Sequence, residues 1–202
     1  MTKRTLLAVA IGLAAVVWCG TIAMAFNAIR RFETTPGAAA KTNGVWPAAS
    51  RVARTPGSWS LVMLVHPHCS CSRASVQELA AIVEAAPRHV QTNVLVYRPH
   101  DAKRGWEQTE VYHAATRLRG ARVVIDTDGA EAAVFGGFTS GQTFLYDDEG
   151  RLRFSGGVTS LRGHAGLNGG RADVIRIAKQ RDGKGTHPVF GCAISTTKET
   201  TR

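Results

Sequence analysis

The chain has 202 residues, 44% of them hydrophobic and 20% charged, and a net charge of +10. That size suits one globular domain with appendages, and the composition excludes a disordered or fibrous chain. The positive charge is spread along the sequence with no dense basic stripe or interleaved aromatics, which argues against nucleic acid as a partner and fits a domain held near an anionic membrane face.

Lys3 and Arg4 precede Leu6 to Phe26, 21 residues without a charge. About 20 apolar residues cross a bilayer as a helix, so residues 1–31 read as a signal anchor. Ala23-Met24-Ala25 fits the small-x-small rule of signal cleavage. A cleaved leader is therefore the alternative, although the length of the run favours the anchor. Cys19 follows bulky Trp18 and reads as an inert thiol in lipid rather than a lipidation site. Lys3 and Arg4 face Arg30 and Arg31 across the span, so charge does not orient it. An N-terminal anchor ahead of one soluble domain exports that domain, which places the bulk of the chain outside the cytoplasm. Residues 32–57 are rich in Ala, Thr, Pro and Gly and read as a linker, with local order around Val45-Trp46.

Ser60 to Val65 is an apolar, partly β-branched run, predicted as a buried strand. A helix follows from Ser72 or Arg73 to Ala86, capped by Ser72 or Ser70 and ended by Pro87. Asn93 to Arg98 is a second strand, Trp106 to Arg119 an amphipathic helix closed by Gly120, and Arg122 to Asp126 a third strand. Ala130 to Phe135 is a short helix ended by Gly136-Gly137. Gln142 to Tyr146 and Arg151 to Gly156 form a hairpin across Asp147-Asp148-Glu149-Gly150, and Asn168 to Gln180 is the last helix. Strand and helix alternate and then end in a hairpin and a helix, which implies an α/β fold: a mixed sheet with helices on both faces. Lys198 to Arg202 reads as the end of a disordered tail, residues 195–202.

The chemistry sits at the first strand–helix junction, His66-Pro67-His68-Cys69-Ser70-Cys71-Ser72-Arg73. A helix N-terminus presents unpaired N–H groups and a partial positive charge, and both favour thiolate over thiol. Arg73 and, as an imidazolium, His68 add positive charge near Cys69. The two cysteines therefore read as a thiol–disulfide redox pair. Soft thiolates with imidazole also suit Cu(I) or Zn, so His68, Cys69 and Cys71 form an alternative ligand set. Cys192, in Pro188-Val189-Phe190-Gly191-Cys192, is either a small buried side chain or a third redox thiol that takes over the Cys69–Cys71 disulfide or resolves Cys69 directly. Gly157 to Gly170 is a Gly-rich loop carrying Arg162, His164 and Asn168; no G-K-[ST] follows it, so it is not a P-loop. Arg162 and His164 are candidate site residues, whereas His100, His113 and His187 read as solvated.

The order of elements, with a cysteine pair at the first junction and a terminal ββα, resembles the thioredoxin fold over roughly Ser58 to Arg181. Three segments more narrowly resemble small membrane-anchored bacterial thioredoxin-like proteins of the RedB type. They are His66 to Ser75, Ser155-Gly156-Gly157-Val158-Thr159-Ser160-Leu161-Arg162-Gly163-His164, and Pro188 to Cys192. The resemblance implies a thioredoxin-like domain over 58–194 on the periplasmic side of the inner membrane. It implies Cys69 as the attacking cysteine and Cys71 as its partner; exported protein thiols and disulfides are the expected substrates, and the exchange needs no organic cofactor. The chain departs from thioredoxin in having C-x-C, whose small ring makes a disulfide strained and readily reduced. It also carries Gln142 where thioredoxins have a cis-proline before the hairpin, so its substrate-holding loop differs. In related copper carriers a distant histidine completes the site, a place His164 would take in the metal alternative.

Overall fold

The computed structural model describes residues 2–87 and 89–194, and the tail read as disordered, 195–202, lies outside them. The chain divides into two units, Met1–Thr35 and Pro36–Arg202. The first is helix α1 (Lys3–Thr34), long and apolar enough to cross a membrane. Thr2 caps its start, accepting from the Thr5 N–H.

The second unit is built on a six-stranded sheet. Its elements are β1 (Trp59–Val65), α2 (Ser70–Ala85), β2 (Val90–Arg98), α3 (Glu110–Thr116), β3 (Ala121–Thr127), α4 (Ala130–Val134), β4 (Thr143–Tyr146), β5 (Leu152–Gly156), α5 (Gly169–Gln180) and β6 (Gly185–Thr186). The strand order is β3-β2-β1-β4-β5-β6. β1, β2 and β3 are parallel, β4 runs antiparallel to β1 and β5, and β6 is parallel to β5.

Every residue of β1 is buried because the strand lies mid-sheet with both faces covered. Its side chains alternate between two cores. Trp59, Leu61, Met63 and Val65 pack with Leu79 and Ile82 of α2, Val111 of α3, and Val174 and Ile177 of α5. Val62 and Leu64 pack on the other face with Leu95, Phe144, Tyr146 and Phe135. Helices thus cover both faces, as the alternation of elements implied.

The segment read as a linker differs most from expectation. From Gly37 onward it lies on the second face: Gly37 N–H donates to the Val189 carbonyl, Lys41 N–H to Gly136 and Trp46 N–H to Gly150. Trp46 packs edge-on against Phe135 and Tyr146, with ring centroids 5.0 and 5.1 Å away, and Val52 is buried. The buried Glu131 carboxylate accepts from Ser50 Oγ, Arg51 N–H and Arg51 Nε. Among the described residues α4 is the one helix on this face, so chain poor in periodicity completes the core.

Two helix boundaries also shift. The helix expected from Trp106 starts at Glu110, because Thr109 caps it and Gly105 holds a positive φ of 83° just before. Trp106 stays in the preceding turn. α2 begins at Ser70 with Cys69 at the N-cap, so neither Ser70 nor Ser72 caps it. Ser72 Oγ instead donates to the His66 carbonyl.

Candidate functional site

Cys69 ends the β1–α2 turn in extended conformation, φ −93° and ψ 123°, with no side chain capping the helix. The free N–H groups of the first turn therefore point at its own sulfur, and those of Cys71 and Ser72 do so. Cys71 lies within that turn, buried like Cys69.

The third sulfur comes from the far end of the chain. After β6 the backbone crosses to the loop between α4 and β4 and bridges it in antiparallel fashion, Thr139 opposite Ala193. Ser140 N–H donates to the Cys192 carbonyl and Ile194 N–H to the Phe138 carbonyl. This strap sets Cys192 Sγ 2.9 Å from Cys69 Sγ. The Sγ atoms of Cys69, Cys71 and Cys192 all lie within 4.8 Å of one another, and all three are free thiols. The same loop ties to the turn before α2: His66 N–H donates to Ser140 Oγ at 2.9 Å, and Ser140 Oγ lies 2.7 Å from Ser72 Oγ. One loop therefore fixes both the turn that carries Cys69 and the strap.

The environments of the three sulfurs separate their acidities. Burial alone would raise the Cys69 thiol. The Cys192 thiol and the N–H groups of Cys192, Cys71 and Ser72 outweigh it by hydrogen bonding to the thiolate, and hold Cys69 below the ordinary cysteine value. Cys192 is pushed up to about 12, first by burial, then by its hydrogen bond to Cys69 and the negative charge there. Cys71 is raised by burial and by the Cys69 charge. The Arg162 guanidinium opposes the rise at both Cys71 and Cys192. The arrangement makes Cys69 the most readily ionised of the three, with the Cys192 thiol against its sulfur.

The other residues singled out in the sequence divide. Arg162 belongs to the site, since its guanidinium also donates to the Gly191 carbonyl beside Cys192. Gln142 is buried behind it: its side-chain N–H₂ donates to Ser155 Oγ and its carbonyl accepts from the Leu64 N–H. No described peptide bond is cis, including the one before Gln142. Arg73 is turned to solvent in an ion pair with Glu110 at 2.6 Å. The His68 ring lies over Trp106, centroids 4.2 Å apart, with Nε2 2.8 Å from the Trp106 carbonyl. His164 Nδ1 lies 2.8 Å from the Arg162 carbonyl. Neither histidine joins the sulfur group, so the ligand set His68, Cys69, Cys71, His164 is not assembled. His187 is not solvated; it stacks on Phe154 and reaches Asp173 Oδ2 at 2.9 Å. Ser140, Ser72 and Trp106 were not singled out, and only Ser72, next to the cysteine pair, carried a signal in the sequence.

No protein-family model and no curated protein matches the chain. Among solved structures it is similar to a hypothetical protein from Sinorhizobium meliloti 1021, at 19% identity and a TM-score of 0.59, covering 81% of this chain and 96% of that one. An uncharacterized conserved protein from Geobacillus kaustophilus is similar at 13% identity and a TM-score of 0.55, covering 83% of this chain and 95% of the other. A secreted disulfide oxidoreductase of Mycobacterium tuberculosis aligns over 62% of this chain and 83% of its own, at 13% identity and a TM-score of 0.42. The parallel β1-α2-β2 unit, followed by the antiparallel β4-β5 hairpin and α5, decides the architecture. The fold is thioredoxin-like. Within it Cys69 stands at the end of the central strand and at the start of the first sheet-covering helix. Cys192, on the strap, lies beyond the hairpin and last helix that complete the fold.

Proposed function

We propose that this chain is a membrane-tethered, extracytoplasmic thiol–disulfide exchange protein in which Cys69 attacks and Cys192 resolves. The 2.9 Å approach of their sulfurs at a helix N-terminus carries the reading. The Cys69 thiolate attacks one sulfur of a substrate disulfide; the Cys69–substrate bond forms as the substrate disulfide breaks, and the second substrate sulfur leaves as thiolate. The mixed disulfide removes the negative charge that holds the Cys192 proton in place, so Cys192 becomes easier to ionise when it is needed. Its thiolate attacks Cys69 Sγ, forms Cys69–Cys192 and releases the substrate as a dithiol. The reverse sequence oxidises a substrate dithiol.

Cys71, the partner expected from the C-x-C spacing, is not required in this scheme. Substrates are exported proteins with accessible thiols or disulfides. α1 supplies the inner-membrane tether, with residues 36–194 on the periplasmic side, and the RedB-type kinship suggested by the three motif segments accords with that placement.

The test is disulfide mapping of the full chain in detergent after air oxidation, followed by reduction with a thiol pair. A Cys69–Cys192 bond that forms and is reduced reversibly supports the proposal. A Cys69–Cys71 bond removes Cys192 from the role of resolving thiol. Thiols that stay reduced under oxidising conditions overturn the exchange reading.

A further inference from the structure

Exchange between Cys69 and Cys192 leaves Cys71 without a task, although its sulfur is buried against both. From this triangle we infer that Cys69, Cys71 and Cys192 form a three-thiolate site for a single Cu(I) ion. Three thiolates around one ion at about 2.3 Å stand roughly 4 Å apart, and the three sulfurs here lie within 4.8 Å of one another, the closest pair at 2.9 Å. A small outward movement of Cys192 opens the centre, and Cys192 is the least buried of the three and sits on a strap rather than in the helix.

The donor set selects the metal. Thiolates are soft ligands that suit Cu(I). Structural zinc takes four ligands in tetrahedral geometry, and among the described residues no histidine or carboxylate joins the three sulfurs. N–H groups of Cys71, Ser72 and Cys192 reach Cys69 and hold the ligand oriented as outer partners do in metal sites. Arg162, which bonds the Gly191 carbonyl, stands where its charge offsets the excess negative charge of three thiolates and one monovalent cation. An entry path exists, since Cys192 and Arg162 line a cleft of about 900 Å³ together with Phe138 and Thr139. The inference shares Cys69 and Cys192 with the exchange reading, and the copper-loaded and disulfide states exclude each other.

The reduced full chain in detergent, with Cys19→Ser, is titrated anaerobically with Cu(I) against a chromophoric Cu(I) chelator and then studied by X-ray absorption. One equivalent withdrawn from the chelator, with three sulfur scatterers and no nitrogen, is the expected result. Cys71→Ser should lower the shell to two sulfurs and weaken retention about tenfold or more. Prior oxidation to the Cys69–Cys192 disulfide should abolish binding. Copper left with the chelator, a two-sulfur or nitrogen-containing shell in the unsubstituted site, or retention insensitive to Cys71→Ser each overturns the inference. Disulfide exchange is followed separately on the metal-free chain, so either reading can fail without the other.

Discussion

A thiolate, not a thiol, attacks a disulfide, so the ordering of acidities among three sulfurs decides which residue acts. Cys69 lies below and Cys192 well above the usual range near 8.5. Alkylation at pH 7 should therefore modify Cys69 first and leave Cys192 protected; mass spectrometry of the partly modified chain checks this, and equal labelling would contradict it. Burial comes first in protecting Cys192, and a hydrogen bond and a charge that both come from Cys69 add to it. Cys69→Ser removes both, so Cys192 should label faster at pH 8 in that variant than in the parent. Simple burial would leave its rate unchanged. Cys192→Ser should have the opposite character: Cys69 still attacks, no strap thiol resolves the adduct, and a mixed disulfide with substrate accumulates on a non-reducing gel.

The strap is the element that makes a site of these residues, and glycine lets it approach. A methyl group on Gly191 would collide with the Ser140 carbonyl oxygen, which is backbone and has nowhere to go. Gly191→Ala should push the strap away from the α4–β4 loop, separate Cys192 from Cys69, and lower the yield of their disulfide severalfold while α2 and the sheet persist by circular dichroism. A C-x-C pair between an apolar run and a helix was legible in the sequence, as were the alternation of strands and helices and the terminal hairpin, because local patterning sets all of these. Which thiol stands against Cys69 stayed open in the sequence, where Cys192 was one of the candidates. The approach of Cys192 depends on a bridge between Thr139 and Ala193 across three strands and a helix, and Gly191 carries no local mark of what it packs against. His68 misled for the same reason: it adjoins Cys69 in sequence, but Trp106, displaced from α3 by the Thr109 cap, captures its ring.

At the scale of the molecule, the stretch from Pro36 to Ser58 decides what counts as the domain. Were it a linker, residues 59–202 would be as stable as residues 36–202. The second core says otherwise, since Trp46 and Val52 cover Phe135 and Tyr146, and Glu131 on α4 takes three hydrogen bonds from Ser50 and Arg51. A chain starting at Pro36 should fold without α1, as the second unit is compact by itself. A chain starting at Trp59 should be much less stable, and Trp46→Ala alone should cost roughly 2 kcal/mol, about half the loss of a fully buried Trp. Acid should report the same contact. Burial tends to raise the Glu131 carboxyl, but its bonds to Arg51 and Ser50 prevail and hold it below the usual carboxylate range. A group depressed in the folded state stabilises above its unfolded pKa, near 4.3, and loses that contribution as pH falls through the folded value. Glu131→Gln should therefore lower the melting temperature at pH 7 and converge with the parent at about pH 3. Melting curves of the chain from Pro36 at the two pH values check this. A constant difference between parent and variant would mean that the carboxylate's charge does not hold this segment to the sheet.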